Sequence, residues 1–358
     1  MLNEFEIFAK RLRQARIKEK LSMDTLCQKM NGKVSKQAIS KYEAAKMMPS
    51  STVLMELADA LKVNEDYFFQ PFKFDVQEMQ VSFRKKTSVG QKDIAALKIH
   101  IQEEVEHYLE IEEILGKKST YNKVEMAKVL EKPENMTECA NLVRTNWQLG
   151  IAPIANVQDI LEMNGIKVIF ISGPEGFDGV SGMVNDSLPI IVLNKNINMS
   201  ERLRFTALHE LGHLLFNENF ADGMSNHDKE KMCHAFASEM LLPRKVVDQA
   251  FAGKTKISLN ELVFLQETYG ISIDAIMYKL FDMGIVTEKR YRSFNIRKRM
   301  NLSFAKAVEK SRFKENPKSS RYQAMVYSAL AQQLITTSKA ASLLNCSVAN
   351  VRNNVNVI

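Results

Sequence analysis

The chain has 358 residues, of which 45% are hydrophobic and 25% are charged, so it is long enough for two or three ordinary domains. No apolar run approaches the roughly 18 residues of a transmembrane helix, and the N-terminus lacks the features of a signal peptide. We therefore expect a cytoplasmic protein without a membrane partner. The four cysteines form no C-x-x-C pair, which argues against a disulfide framework or a cysteine zinc site.

The net charge of +7 is concentrated at the two ends of the chain. Residues 1–50 contain eleven Lys and Arg against five Asp and Glu, and residues 289–358 contain fourteen against two. Basic ends on an acidic middle indicate contact with a polyanion, although a basic run is also compatible with a solvated surface that binds nothing. Charge alone does not assign a partner.

Residues 5–70 have the pattern of several short helices. Ser22 and Ser35 stand at positions where they would cap the second and third helices, and two more helices follow a break at residues 49–51. This order predicts a bundle with a helix-turn-helix layout. The apolar stripe of the first helix consists of Phe8, Leu12 and Ala15.

Four segments of this region resemble the Xre/Cro-type DNA-binding domain of phage repressors. The resemblance implies a double-stranded DNA operator as a partner and places the recognition helix at residues 36–43. A small helical bundle that binds protein is the alternative. The matching segments are residues 11–16, 21–30, 35–43 and 57–63.

The same resemblance implies which side chains face the DNA. Glutamine can pair with adenine through two hydrogen bonds, and lysine can reach guanine or phosphate. The side chains expected at the DNA are Gln37, Ser40 and Lys41, with Lys36 and Lys46 at phosphates. The side chains expected to pack the helix onto the bundle are Ala38, Ile39 and Tyr42.

Residues 71–134 have the pattern of a helical connector. A long amphipathic helix is predicted over Gln91–Leu115, and we expect it to pack against its neighbours or to form a homodimer. His100 and His107 on this helix are interpreted as surface or packing histidines. The glutamates predicted to give the helix an acidic outer face are Glu103, Glu104, Glu106, Glu110, Glu112 and Glu113.

The region from about residue 135 to 250 alternates helices and strands. Helices are predicted near residues 140–149 and 157–164, followed by a strand at 166–171 and a loop at 177–182. A second strand is predicted at 189–194. Its edge would hydrogen-bond an extended peptide, or it is an ordinary buried strand of the sheet.

An H-E-x-x-H sequence follows in an apolar, helix-forming context. On a helix His209 and His213 lie on one face, so their imidazoles can converge on one metal ion, and Glu210 can act as general base on a water. Zinc suits two imidazoles, a third protein ligand and a fourth position for water, and manganese is an alternative ion. Gly212 is expected to allow close approach of another element. The pattern predicts a hydrolytic metal site.

The third ligand has four candidates on or near the next helix. His227 and Asp228 would lie at its N-terminus, where Asp228 is interpreted as the cap and His227 as a loop residue. Glu230 and His234 are four residues apart, so both can face the site. Either could be the ligand on these grounds.

Three further segments resemble the ImmA/IrrE-type metallopeptidases. The resemblance implies that Glu230 is the ligand and His234 an auxiliary residue, and that the enzyme is a zinc endopeptidase whose protein substrate is a repressor. In that family the peptidase is often paired with an Xre-type module. His234 departs from the family's usual Asn. The matching segments are residues 177–182, 204–213 and 230–243.

The remaining residues, 251–358, are predicted to form a basic helical region. Two helices are expected around Gly270. Ser338 and Ser347 are expected to cap two short helices near the C-terminus, which indicates either a second helix-turn-helix or a small packing module. The whole chain is thus predicted to be mainly α with a small β-sheet. Its predicted domains are a helix-turn-helix bundle (1–70), a helical connector (71–134), an α+β zincin-like peptidase domain (135–250) and the helical C-terminal region (251–358).

The predicted function is a DNA-binding transcriptional regulator that carries a zinc-dependent endopeptidase. The alternative is a non-proteolytic repressor or antitoxin in which the peptidase fold is a sensor or a structural domain. Glu210 favours the enzyme, because a structural domain has no need of a general base beside its metal.

Overall fold

The computed structural model describes residues 3–72, 79–81, 89–126, 135–254, 256–314 and 321–354. Within these residues the chain is mainly α-helical with one small sheet, as predicted. None of the described helices is both long and apolar enough to span a membrane.

The N-terminal bundle has its own hydrophobic core. Ser22, Ser35 and Ser50 cap their helices through hydrogen bonds from backbone amides three residues later, which confirms the two predicted caps. Phe8, at the centre of the core, packs against several aromatic rings. The helices are α1 Glu4–Lys18, α2 Met23–Lys29, α3 Lys36–Glu43, α4 Ser51–Leu61 and a short 3-10 helix Glu65–Phe69.

The long helix α5, Gln91–Ile114, lies between this bundle and the rest of the chain. The prediction of an acidic outer face is wrong, because Glu103, Glu106 and Glu112 are buried. Their carboxylates face basic residues of other elements, which makes burial of the charges tolerable. The ion pairs are Arg11 with Glu106 (2.9 Å), Lys18 with Glu103 (2.6 Å), Lys167 with Glu112 and Lys339 with Glu110 (2.6 Å).

A four-stranded sheet follows in the order β1-β3-β4-β2. The pairs β1·β3 and β3·β4 are antiparallel, and β2·β4 is parallel. Strand β4 therefore lies inside the sheet, so its predicted role as a substrate-binding edge is wrong and the alternative of a buried strand holds. The strands are β1 Met79–Val81, β2 Lys167–Ile171, β3 Gly179–Val184 and β4 Leu188–Asn194.

The predicted loop at residues 177–182 is also corrected, because most of it forms β3. The alternation of apolar and polar residues in this segment is short and is interrupted by glycines, so the sequence did not indicate a strand. Antiparallel pairing with β4 and packing of Val180 and Val184 in a core stabilise it here.

One hydrophobic core extends from Val124 to Val308 and includes side chains of the sheet and of the helices that follow it. This core continues past the predicted domain boundary at residue 250, because α11 (Leu259–Tyr269) and α12 (Ile273–Asp282) also contribute side chains to it. The helices up to this point are α6 Asn135–Asn146, α7 Val157–Met163, α8 Ser200–Phe216, α9 Asn226–Leu241, α10 Arg244–Phe251, α11 Leu259–Tyr269 and α12 Ile273–Asp282.

Gly270 ends α11 in the left-handed conformation with φ +63°, which confirms the predicted break between two helices. The last three helices form a separate small core with Tyr108 and Ile111 of α5. The remaining helices are α13 Glu288–Met300, α14 Leu302–Glu309, α15 Arg321–Ala331, α16 Thr337–Leu343 and α17 Val348–Asn354.

Candidate metal centre

Helices α8 and α9 place the predicted metal ligands opposite one another. Gly212 on α8 lacks a side chain where the helices meet, and a Cβ there would lie 3.3 Å from Cys233 and Phe236 of α9. This confirms the close approach predicted for Gly212. Helix α9 is capped by Ser225, whose hydroxyl accepts from the amide of Asp228 at 3.2 Å, so the prediction of Asp228 as the cap is wrong.

Three side chains converge between the helices. The Nε2 atoms of His209 and His213 lie 3.0 Å apart. Glu230 places one carboxylate oxygen 3.0 Å from Nε2 of His209 and the other 3.4 Å from Nε2 of His213. His209 is buried and Glu230 is half-buried, so the cluster opens towards solvent on the side of α9.

These distances fit a shared zinc ion. A tetrahedral zinc with bonds of about 2.0 to 2.1 Å separates its ligand atoms by roughly 3.3 to 3.4 Å. Two imidazole nitrogens and a carboxylate oxygen are also a donor set that zinc prefers. The side chains of His209, His213 and Glu230 are therefore spaced to hold one ion and leave a fourth position open.

The charge state of Glu230 suits a metal ligand. Burial by itself raises the pKa of this carboxyl, but hydrogen bonds with His209 and His213 and the charge of the two imidazoles outweigh burial, and the net pKa lies well below its usual value. The carboxylate is thus ionised at neutral pH, as a metal ligand must be.

The side chains predicted to contact DNA lie on and near α3 in the N-terminal bundle. Ile39 and Tyr42 are buried and Ala38 packs against the same core, which leaves the other face of the helix free. The structure therefore brings the packing side chains inwards as predicted. Lys36 also pairs with Asp24 at 2.7 Å, with both side chains in solvent. The exposed side chains on and near this helix include Lys36, Gln37, Ser40, Lys41 and Lys46.

Comparison with protein families assigns both regions. A helix-turn-helix family model matches residues 12–68. The model of the IrrE N-terminal-like domain, peptidase family M78, matches residues 162–281. This chain joins a helix-turn-helix domain to an IrrE-type peptidase domain. Both resemblances seen in the sequence are confirmed, and no curated protein matches the chain.

In the peptidase domain, Glu210 points towards β3. The hydroxyl of Ser181 donates a hydrogen bond to a Glu210 carboxylate oxygen at 2.8 Å, and both side chains are buried. Sequence reasoning assigned no role to Ser181, because the contact depends on pairing between a strand and a helix 29 residues away in the chain.

Strand β3 can approach α8 because Gly179 lacks a side chain. A Cβ at this position would lie 2.9 Å from Cγ2 of Thr206 and 3.0 Å from the carbonyl oxygen of Val192. Neither atom has room to move, since one lies on a packed helix and the other belongs to the sheet backbone. Gly179 thus sets the spacing that brings Ser181 to Glu210.

His234 lies beside the cluster at the exposed edge. Its ring is 4.4 Å from that of His209, and His209, Glu230 and His234 offer ligand atoms within 4.8 Å of one another. The trio that contains His213 in place of His234 is tighter, with its nitrogen and oxygen atoms 3.0 to 3.4 Å apart. Nδ1 of His234 donates to the carbonyl of Glu230 at 2.7 Å, which orients the ring.

His209 and His213 differ in the group that contacts the Nδ1 atom of each imidazole. Nδ1 of His213 lies 3.1 Å from the thiol sulfur of Cys233, a buried residue of α9. Nδ1 of His209 is buried and has no hydrogen-bond partner among the described residues. A histidine that binds a metal through one ring nitrogen usually has a hydrogen-bond partner on the other ring nitrogen. Cys233 is a supporting residue that the sequence analysis did not identify.

Proposed function

We propose that the protein is a DNA-binding transcriptional regulator whose peptidase domain is a zinc-dependent endopeptidase acting on a cytoplasmic regulatory protein such as a repressor. The observation that carries the proposal is the convergence of His209, His213 and Glu230 at ligand spacing, with Glu210 next to them on α8. A structural domain would not need a buried carboxylate held beside such a cluster.

The proposed chemistry assigns a role to each side chain. His209, His213 and Glu230 would hold zinc, which supplies a Lewis acid for peptide hydrolysis. Glu210 accepts a proton from the attacking water while the oxygen of that water bonds to the scissile carbonyl carbon. Glu210 then gives the proton to the nitrogen as the carbon–nitrogen bond breaks. His234 is an auxiliary group at the open side.

Ser181 keeps the general base in place during this sequence. Its hydroxyl donates a hydrogen bond to one carboxylate oxygen of Glu210 at 2.8 Å. A hydrogen bond to a charged group in a buried site fixes the direction of the side chain before substrate arrives.

The substrate peptide is proposed to bind along β3. Strand β1 pairs with residues 182–184 only, so among the described strands none covers the outer edge of residues 179–181. An extended peptide can add to this edge through main-chain hydrogen bonds. Because Ser181 contacts Glu210, a peptide at this edge lies beside the general base.

The helix-turn-helix domain is proposed to bind operator DNA through α3. Gln37, Ser40 and Lys41 would read bases, and Lys36 and Lys46 would contact phosphates. The exposure of this face, together with the buried opposite face, supports the assignment. The DNA-binding domain would bring the peptidase to regulatory proteins that bind near the same operator.

The proposal is tested by incubating the purified, zinc-loaded protein with repressors encoded beside its gene. We expect one of them to be cleaved, and Glu210→Gln to be inactive while it keeps its zinc. Glu218→Gln, which changes an exposed glutamate just after the same helix, is the matched control and should cleave normally. Absence of cleavage of every neighbour by the zinc-loaded wild type would favour the sensor or antitoxin function.

A further inference from the structure

The C-terminal helices repeat the geometry of the DNA-binding end of the chain. In the first domain, α2 begins after a capping Ser22 and ends at Lys29 with Met30 as its C-cap, and Asn31 follows in the left-handed conformation with φ +54°. At the other end of the chain, α16 begins after a capping Thr336, which corrects the predicted cap Ser338. The helix ends at Leu343 with Leu344 as its C-cap, and Asn345 follows with φ +49°.

The turns use the same backbone hydrogen bonds. The amide of Gly32 donates to the carbonyl of Cys27, and the amide of Cys346 donates to that of Ala341, each at 3.0 Å. One residue earlier, Asn31 donates to Gln28 at 3.0 Å and Asn345 donates to Ser342 at 3.2 Å. Both first helices thus end in a Schellman-type turn that redirects the chain into a second helix.

The second helices also begin alike. Ser35 accepts from the amide of Ala38 and Ser347 accepts from the amide of Asn350, both at 3.2 Å. The intervening turn at residues 344–347 is shorter than its counterpart in the first domain, and its length is typical of a helix-turn-helix.

Packing leaves one face of α17 in solvent. Val351 is fully buried against α15 and α16, as Ile39 is against the first domain. Asparagine amides can pair with adenine, and the arginine can reach guanine or phosphate. Arg352 makes no ion pair within the described part of the chain. The side chains exposed on this face are Ala349, Asn350, Arg352, Asn353 and Asn354.

Charge favours a polyanion at this face. Residues 321–358 contain three basic residues and no aspartate or glutamate. Arg321 and Lys339 pair with glutamates of α5, so Arg352 supplies the positive charge on the exposed face of α17. Duplex DNA is the polyanion whose major groove accepts a helix presented by such a turn.

We propose that residues 321–354 are a second helix-turn-helix that binds duplex DNA, with α17 as its recognition helix. This goes beyond the proposed function, in which α3 alone contacts the operator. One chain would then engage two DNA segments, and the linked contacts would strengthen each other through their effective concentration. The small core with α5 would hold this unit in a fixed position on the rest of the chain.

The test measures binding of the full chain to a mixed-sequence duplex of about three helical turns by fluorescence anisotropy over a salt series. Arg352→Ala should weaken binding about tenfold at low salt and reduce the salt slope by about one. Asn353→Lys should strengthen binding to all sequences. Lys245→Ala, which removes one charge from an exposed position on α10, should change neither quantity.

Hydroxyl-radical footprinting separates this proposal from the role of α3. Wild type should protect two segments, and the Asn350→Ala, Asn353→Ala variant should lose one while the Gln37→Ala, Lys41→Ala variant loses the other. If the α3 variant loses all protection and the α17 variants match wild type in both assays, the second DNA site is overturned and the proposed operator contact stands. If only the α17 variants lose protection, the second site stands and the role of α3 is overturned.

Discussion

Helices α8 and α5 both carry histidines and glutamates at helical spacing, yet they differ in what their sequences reveal. On α8 the predicted site residues His209, Glu210 and His213 lie within five residues, so helix geometry alone brings them together. On α5 the partners of the glutamates lie far away in the chain, as Arg11 and Lys339 do. A group of site residues that are close in sequence can be predicted from their spacing. The spacing of glutamates on a helix does not show whether they face solvent or a buried interface, because that depends on partners far away in the chain.

The largest effect should come from breaking the α8 constellation. His209→Ala removes a ligand, so the protein should lose its metal and its hydrolysis should fall by about 10⁴-fold or more, since general-base assistance alone contributes 10²- to 10⁴-fold. His227→Ala, at an exposed position on α9, should keep metal and rate. Cleavage rates and metal content would be measured on the same samples, and near-normal cleavage by His209→Ala would contradict the site.

The next effect should come from breaking an α5 ion pair. Glu106→Ala leaves the buried guanidinium of Arg11 without its carboxylate, which should cost about 3 to 5 kcal/mol of unfolding free energy. The exposed pair of Lys123 and Glu218 is the control, because Glu218→Ala should cost less than about 1 kcal/mol. Urea unfolding would compare the two variants, and equal small losses would mean that α5 is not held by buried charges.

The contrast between contacts of sequence neighbours and contacts of distant residues also explains which features could be predicted from the sequence. The fold class, the caps Ser22 and Ser35 and the break at Gly270 could be predicted because each depends on neighbours in sequence. The hydrogen bond of Ser181 to Glu210 and the burial of Glu112 beside Lys167 could not, because they depend on the strand order and on the packing of α5 against the sheet. The third-ligand choice required the family resemblance, since Glu230 and His234 share one helix face.

A smaller effect should follow from loss of the Ser181 hydroxyl. Ser181→Ala removes a hydrogen bond to Glu210, the proposed general base, so kcat should fall about tenfold to a hundredfold, with metal content and KM nearly unchanged. Ser187→Ala, in the exposed turn that joins β3 and β4, should leave kcat unchanged. A loss confined to KM or to zinc content would show that Ser181 does not position Glu210.

The smallest effect concerns His107 on α5. Burial lowers the pKa of this imidazole to about 4, with Lys339 and Lys18 lowering it further and Glu103 and Glu110 opposing them. The unfolded chain therefore binds more protons between pH 6.5 and about 4, so stability should fall as the pH decreases through that window. His107→Gln should lose on the order of 1 to 2 kcal/mol of this pH dependence. Identical stability–pH profiles for the two proteins would contradict the burial of His107.

The central claim is that α8 and α9 together hold one zinc ion through His209, His213 and Glu230. Native mass spectrometry of zinc-loaded protein tests it most directly, with wild type, Glu210→Gln, Glu230→Ala and His234→Ala compared side by side. We predict one zinc in wild type, Glu210→Gln and His234→Ala, and almost none in Glu230→Ala. Stoichiometric zinc in Glu230→Ala together with its loss from His234→Ala would contradict the account and make His234 the third ligand.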